Sequence, residues 1–428
     1  MIRYNSALAI LEEVGGKRKV SNEVILLDEA VGRILAADVL SPEAVPSFTN
    51  SAMDGFAVFA SNTYGATSDQ PIQIPVCGLI AAGDIGSFNR ACLETSGTSI
   101  EIMTGAPVPT GGHDSIVRIE DVEIQRDANG VTQSISVRRP SQVGDHIRMI
   151  GTDYAIGQLV LRGGSRVSPG HILASASLGL TRLSVKRRPR VAIVSTGSEL
   201  VSPEASFLAP GMIRNSTGPF LLAALKEIGV DAYFLGVIGD SPIVYRNTLQ
   251  QAINDGAEII MSTGAVSMGK FDFVPEVLTA MGGQTHFHKA AIRPGKPVLF
   301  AELQYNQRSC AFFGVPGNPV STVVGLRFFI EPYLRAMLDL PRERVTRARL
   351  CGDRQKPEGL RCFFKGRVSL GEKGLEVESL RAQASYVVSA LLDSNCWVVL
   401  PEEGAMVSDN SIVDVYPLHH SFERGLME

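Results

Sequence analysis

Apolar positions recur at helical spacing near the start of the chain, where Leu8, Leu11 and Val14 follow Asn5 and Ser6, either of which can cap a helix. Gly15-Gly16 then supplies a stop signal. A second helix is predicted from residue 28 to about residue 38. Between residues 46 and 144 the period shortens to short β-prone runs, such as Ile72-Gln73-Ile74 and Ser115-Ile116-Val117-Arg118-Ile119, separated by Gly, Pro, Asn and Asp. Helical character returns over residues 169–180.

From residue 190 onward apolar runs of strand length alternate with helical patterns. The spacing predicts strands at 191–195, 232–237, 259–262, 298–301 and 311–313, and helices at 216–228, 241–255, 274–281 and 321–338. Such alternation argues for a mostly parallel sheet with helices on both faces. Beyond Pro341 the runs become short again. The fold class expected is therefore multidomain α/β. It comprises a helical linker domain (1–45 plus 145–185), an inserted β domain (46–144), a central three-layer, mostly parallel α/β domain (186–340) and a C-terminal β domain (341–428).

Composition narrows the function classes. The 428 residues are 45% hydrophobic and 20% charged, with a net charge of −4, ordinary for a folded chain with several cores. With no long basic run, nucleic acid is not expected as the main partner, because binding a phosphate backbone needs a positive face. No apolar stretch approaches the roughly 20 residues of a membrane span. The first residues lack a signal-peptide core, so a cytoplasmic protein is expected. Six cysteines without a Cys-x-x-Cys read as buried thiols.

Three strand-to-loop junctions stand out in the α/β segment. Ile259-Ile260-Met261 turns on Ser262-Thr263-Gly264-Ala265-Val266-Ser267 and reaches Asp272; Val191 to Val194 leads into Ser195-Thr196-Gly197-Ser198-Glu199; Ala311 to Gly314 leads into Val315-Pro316-Gly317-Asn318-Pro319. Loops of this kind after strands expose backbone N–H groups to phosphates, and the three together suggest one anion-binding rim. Glu199, Asp240 and Asp272 each fall just beyond a strand, so they can converge as hard oxygen ligands for Mg²⁺ bridging a phosphate. Helix N-capping is the competing account of each carboxylate. Lys289, Arg293 and Lys296 place three cations on a segment that Pro294-Gly295 keeps from being helical, which suits an oxyanion or pyrophosphate. Two loops of the β region, around Asp54 and Thr104, combine small residues with one acid and one hydroxyl, a composition fit for closing over a ligand.

Taken in order, Asn50-Ser51-Ala52-Met53-Asp54-Gly55-Phe56, Thr104-Gly105-Ala106-Pro107, Ser195-Thr196-Gly197-Ser198-Glu199, the 262–272 block, Arg293-Pro294-Gly295-Lys296-Pro297 and Pro316-Gly317-Asn318-Pro319 resemble the molybdopterin molybdenumtransferases, the MoeA family that includes the E domain of gephyrin. The resemblance covers essentially the whole chain. It implies a central domain of molybdopterin-binding type. It also implies an enzyme that takes adenylylated molybdopterin and molybdate, inserts molybdenum and releases AMP with help from Mg²⁺. It assigns catalytic roles to Asp54, Thr104, Glu199, Asp240 and Asp272, the last three as metal ligands. It assigns binding roles to Ser195, Thr196, Gly197, Thr263, Gly264, Ser267, Lys289, Arg293, Lys296, Pro316, Gly317, Asn318, Lys365 and Ser385. A homodimer is implied as well, with room for contact with the molybdopterin adenylyltransferase and apo-molybdoenzymes.

The chain departs from the family pattern at Ala265, where a second glycine is usual, and at Lys270, where an acid is common. Ser198 and Lys365 replace an aspartate and an arginine, and Asn215-Ser216-Thr217 and Gln383-Ala384-Ser385 replace Asp-Ser-Asn and Gln-Gly-Ser. These changes keep open an alternative, a non-catalytic cofactor-binding paralogue acting as carrier or scaffold. The adenylyltransferases resemble the α/β domain alone and fit the full chain less well.

Overall fold

A computed structural model describes residues 1–84, 95–265, 273–372 and 374–418. Contacts divide the chain into two compact units: Met1–Ala37, Gly164–Ser168 and Arg182–Glu428 form one, and Asp38–Gly163 with Pro169–Thr181 the other.

The first unit is built on a six-stranded sheet. Its strands are β1 (Arg190–Thr196), β2 (Asp231–Ile238), β3 (Ile259–Thr263), β4 (Gln284–His288), β5 (Leu299–Tyr305) and β6 (Arg308–Val315). They lie in the order β2-β1-β3-β6-β5-β4. The pairs β2/β1, β1/β3 and β3/β6 are parallel, and the β6/β5 and β5/β4 pairs add an antiparallel edge. Both faces are covered, so successive residues of β1 enter different cores: Val191 and Ile193 one, Ala192 and Val194 the other. That two-sided burial is why the strand reads as a continuous apolar run.

A second six-stranded sheet in the same unit contains Ile292–Arg293, Arg361–Gly371, Gly374–Ser379, Thr346–Cys351, Ile412–Pro417 and Cys396–Leu400. The last of these also pairs with Arg361–Gly371, closing the sheet on itself. Phe363 and Trp397 from this sheet join the core that holds Phe328 and Phe329, so the two sheets share apolar packing.

The second unit carries a sheet in the order Ser115–Arg118, Gly55–Val58, Ser99–Ile102, Ile72–Ile80, Thr132–Val137, Val122–Arg126. Phe56 and Val58 face one core and Ala57 another, the period of two expected of a strand. His113 lies here, 4% exposed, its ring centroid 4.6 Å from that of Phe59, and neither ring nitrogen has a hydrogen-bond partner among the described residues. Burial pushes its pKa below the ordinary 6.5, with Asp114 opposing. The folded state therefore holds the proton less tightly than the unfolded chain does. Stability is complete above pH 6.5 and falls as pH drops from 6.5 towards the folded-state value. A His113→Phe variant is expected to show a smaller drop in thermal midpoint between pH 7.5 and 5.5 than the parent; an equal drop would remove His113 from the account.

Several sequence expectations change. The helix expected at 28–38 is absent: a 3₁₀ turn Leu27–Glu29 is followed by Gly32 at φ 82°, which ends any helical run, and by the strand Val39–Leu40. The first helix runs Tyr4–Lys17, through the glycines expected to stop it. Gly15 instead packs on the helix Glu331–Met337, where an added Cβ would stand 2.7 Å from the Tyr333 carbonyl oxygen. The helix expected over 321–338 is interrupted by a π turn at Leu326–Ile330. β4 is not among the strands the spacing predicts, because Gln284, Thr285, His286 and His288 give it little apolar signal. Cys310, Cys362 and Cys396 are buried as expected, whereas Cys351 is exposed on Thr346–Cys351.

Candidate active site

The order β2-β1-β3 makes the carboxyl ends of β1 and β3 a place where connections leave in opposite directions, the position at which open α/β sheets bind ligands. A cleft of about 870 Å³ opens there. Its lining comes from the β1 loop (Thr196, Gly197, Ser198, Glu199), the β2 end (Asp240), the β3 loop (Thr263, Gly264, Ala265) and the β6 loop (Pro316, Gly317, Asn318). Register explains the convergence, since Ser195 pairs with Thr263 and Thr263 with Val315, so the three loops start level with one another.

Below the cleft the strand ends are tied by buried hydroxyls. Thr263 Oγ1 donates to Ser195 Oγ at 3.1 Å, Asn215 Nδ2 donates to the same oxygen at 3.1 Å, and Thr196 Oγ1 donates to the Thr263 carbonyl at 3.0 Å. Asn215 Oδ1 accepts from the Gly218 N–H at 3.1 Å, fastening the start of helix Thr217–Glu227 to this network. A fully satisfied network of this kind holds the loop backbones in place. Gly264, at φ 89°, brings its Cα so close to Thr196 that a Cβ would stand 2.6 Å from the Thr196 carbonyl oxygen.

Ala265 follows at φ 50°, a left-handed conformation costly for a residue with a Cβ. Ala265→Gly is expected to stabilise the protein by about 0.5–1 kcal/mol, read as a rise in thermal midpoint; no change, or a fall, would show that the strain is absent.

Glu199 and Asp240 are both exposed in the cleft. Ser198 Oγ donates to Asp240 Oδ2 at 2.9 Å, which fixes one carboxylate oxygen. In the second unit Asp54 and Thr104 are brought together: the Thr104 N–H and hydroxyl both donate to Asp54 Oδ1, at 2.6 and 2.8 Å. These two bonds, the backbone one first, hold the Asp54 carboxyl below the usual carboxylate range.

The remaining sequence candidates fall elsewhere. Ser195 lies buried beneath the cleft. Of the basic segment only Pro297 is in the lining; Arg293 and Lys296 are exposed and Lys289 is half-buried. Arg293 belongs to the strand that pairs with Arg361–Gly371, so the second sheet sets its position. Lys365 is 0% exposed, and its ammonium donates to the carbonyls of Val387 and Ala384 at 3.0 and 3.5 Å instead of entering the cleft. Burial pushes its pKa below the usual lysine range. Ser385 gives its carbonyl to the Val320 N–H at 3.0 Å. Ser267 and Asp272 lie outside the described residues. Sequence reasoning missed Tyr386 and Arg214 in the lining. The one available signal for Tyr386 was its place directly after Gln383-Ala384-Ser385.

The fold and cleft define a class: an α/β protein that gathers loop backbones and carboxylates in one cleft at its strand ends. Comparison with known proteins narrows it. Residues 2–179 match the family model for the MoeA N-terminal region (domains I and II), 192–336 the probable molybdopterin-binding domain, and 347–418 the MoeA C-terminal region (domain IV). A molybdopterin molybdenumtransferase of Synechococcus elongatus is 35% identical over 98% of this chain and all of that relative. Molybdopterin molybdenumtransferase 2 of Mycobacterium tuberculosis is 35% identical over 92% of this chain and 94% of that protein. The crystal structure of the MoeA molybdopterin biosynthesis protein of Pyrococcus horikoshii superposes with a TM-score of 0.78 at 27% identity, covering 97% of this chain and 99% of that one. The chain belongs to the molybdopterin molybdenumtransferase family. None of its described helices is long and apolar enough to cross a membrane.

Proposed function

We propose that this chain inserts molybdenum into adenylylated molybdopterin and releases AMP in a Mg²⁺-dependent step. What supports the reading above all is the cleft, where three glycine-containing loops and two exposed carboxylates meet at the strand ends. The loop N–H groups would hold the phosphates of the substrate. The soft dithiolene sulfurs of the pterin can take molybdenum themselves, so the protein has to position molybdate and assist cleavage of a phosphoanhydride.

Mg²⁺ suits the donor set, although no cluster of three or more His, Cys, Asp or Glu side chains occurs among the described residues. This ion keeps several waters and needs only one or two carboxylates besides the substrate phosphates. Glu199 and Asp240 would hold it, and bound there it would neutralise charge developing on the phosphates. The Ser198 hydroxyl orients Asp240, in the manner of an outer-shell partner. Catalytic roles for Asp54 and Thr104 and homodimerisation belong to the same reading and rest on the resemblance.

The test is AMP release and formation of active cofactor by the purified protein with molybdate and adenylylated molybdopterin, with and without Mg²⁺. Turnover that requires Mg²⁺ is the expected result. Tight binding of adenylylated molybdopterin without turnover would favour the carrier reading.

A further inference from the structure

Lys365 is fully buried, and its ammonium donates to backbone carbonyls. Its N–H donates to Gln383 Oε1 at 2.9 Å and its carbonyl accepts from Gln383 Nε2 at 2.8 Å, a two-point clasp between main chain and side-chain amide. The same Nε2 donates to the Leu380 carbonyl at 2.7 Å. With the ammonium on the Val387 and Ala384 carbonyls, one residue of the strand Arg361–Gly371 fastens both ends of the turn 383–387. The Ser385 carbonyl ties the middle of that turn to Val320, in the first turn of the helix that follows the β6 loop.

Tyr386 belongs to the same turn. It lines the cleft while remaining 71% exposed. The hydrogen bonds at 384, 385 and 387 hold the main chain on either side of Tyr386, whose ring itself buries little. Aromatic rings in such places serve as stacking surfaces for flat heteroaromatic groups.

We infer that Tyr386 is a substrate-contact residue that stacks on a flat heteroaromatic ring of the substrate, and that Lys365 with Gln383 are positioning residues that hold it there. The inference rests on the transferase reading, whose substrate carries two such rings, a pterin and an adenine. It also gives Lys365 a role through Tyr386 in place of direct oxyanion contact.

The test is equilibrium dialysis of adenylylated molybdopterin against the full-length parent, Tyr386→Phe, Tyr386→Ala, Lys365→Met and the Tyr386→Ala/Lys365→Met double variant. Phenylalanine is expected to keep the parent affinity and alanine to weaken it about tenfold. Lys365→Met should weaken binding similarly, and the double variant no further than either single change, since both remove the same contact. The thermal midpoint of the Tyr386 variants should match the parent. AMP and molybdopterin dialysed separately report which ring is stacked: the ligand that loses affinity in Tyr386→Ala carries it. Parent-like affinity in Tyr386→Ala, equal weakening in Tyr386→Phe, or fully additive loss in the double variant overturns the inference while leaving the transferase reading intact. Failure of the parent itself to bind adenylylated molybdopterin overturns both.

Discussion

Replacing Arg327 with methionine is expected to cost about 3–5 kcal/mol of stability at neutral pH. Arg327 sits in the π turn Leu326–Ile330 and is 4% exposed. Its guanidinium donates to Glu331 at 3.0 Å, to Glu343 at 2.6 Å and to the Pro417 carbonyl at 3.3 Å. It also lies over the rings of Phe328 and Tyr416, at 5.5 and 5.6 Å from their centroids. One side chain thus joins the helical run of the α/β unit to the segment after it and to the last strand of the closed sheet. Methionine fills much of the volume but leaves Glu331 buried without this cation.

Burial already pushes the Glu331 pKa up to about 7 against the pull of Arg327. Removing that pull raises it further. A carboxyl whose folded pKa exceeds its unfolded value contributes stability below the unfolded pKa and loses it as pH rises through the folded one. The deficit of Arg327→Met should therefore be smallest in acid and grow towards and above pH 7. Adding Glu331→Leu should restore part of the loss, because an apolar pair is tolerated where a single buried charge is not. Trp397 is the single tryptophan of the chain, fully buried with its ring centroid 6.0 Å from that of Phe328, so its fluorescence in urea reports on this region. A loss below about 1 kcal/mol, or no recovery in the double variant, would show that the ion network is not what joins these elements.

Legibility of the sequence varied with the physics of each segment. Strands covered on both faces, such as β1 and β3, announce themselves as unbroken apolar runs, and their ends carried the loops that line the cleft. Gly264, Thr196 and Asn318 were readable because Gly- and hydroxyl-containing loops follow these strands, and the structure brings all three residues into the cleft lining. The 28–38 segment is not the helix expected, because Gly32 at positive φ ends any helical run there. Gly15-Gly16 failed as a stop for the opposite reason: packing on Glu331–Met337 rewards a glycine inside the helix. Lys365 shows the limit for sites. Its charge and its place in a motif were visible, but the carbonyls that absorb the charge belong to a turn some twenty residues on, at 384 and 387. The pairing of Arg361–Gly371 with Gly374–Ser379 on one side and with Cys396–Leu400 on the other brackets that turn beside Lys365.

Neutralising the cleft carboxylates should separate binding from turnover. Asp240→Asn and Glu199→Gln are each expected to slow AMP release by about 10²–10³, the scale seen when one preorganised electrostatic contribution to a transition state is removed. Both changes keep side-chain volume, and the amide introduced by Asp240→Asn would retain an acceptor for Ser198, which now donates to Asp240 at 2.9 Å. Ground-state affinity should move the other way when no metal is supplied. Two exposed carboxylates in one cleft repel a substrate that carries phosphates, so each neutral variant should bind adenylylated molybdopterin at least as tightly as the parent in chelator. Adding Mg²⁺ should tighten binding in the parent and do so less in the variants, because fewer hard oxygens remain to share the ion with the phosphates. A rate loss matched by lost affinity in chelator would instead assign these carboxylates to positioning the substrate. Unchanged turnover in both variants would remove Glu199 and Asp240 from the chemistry.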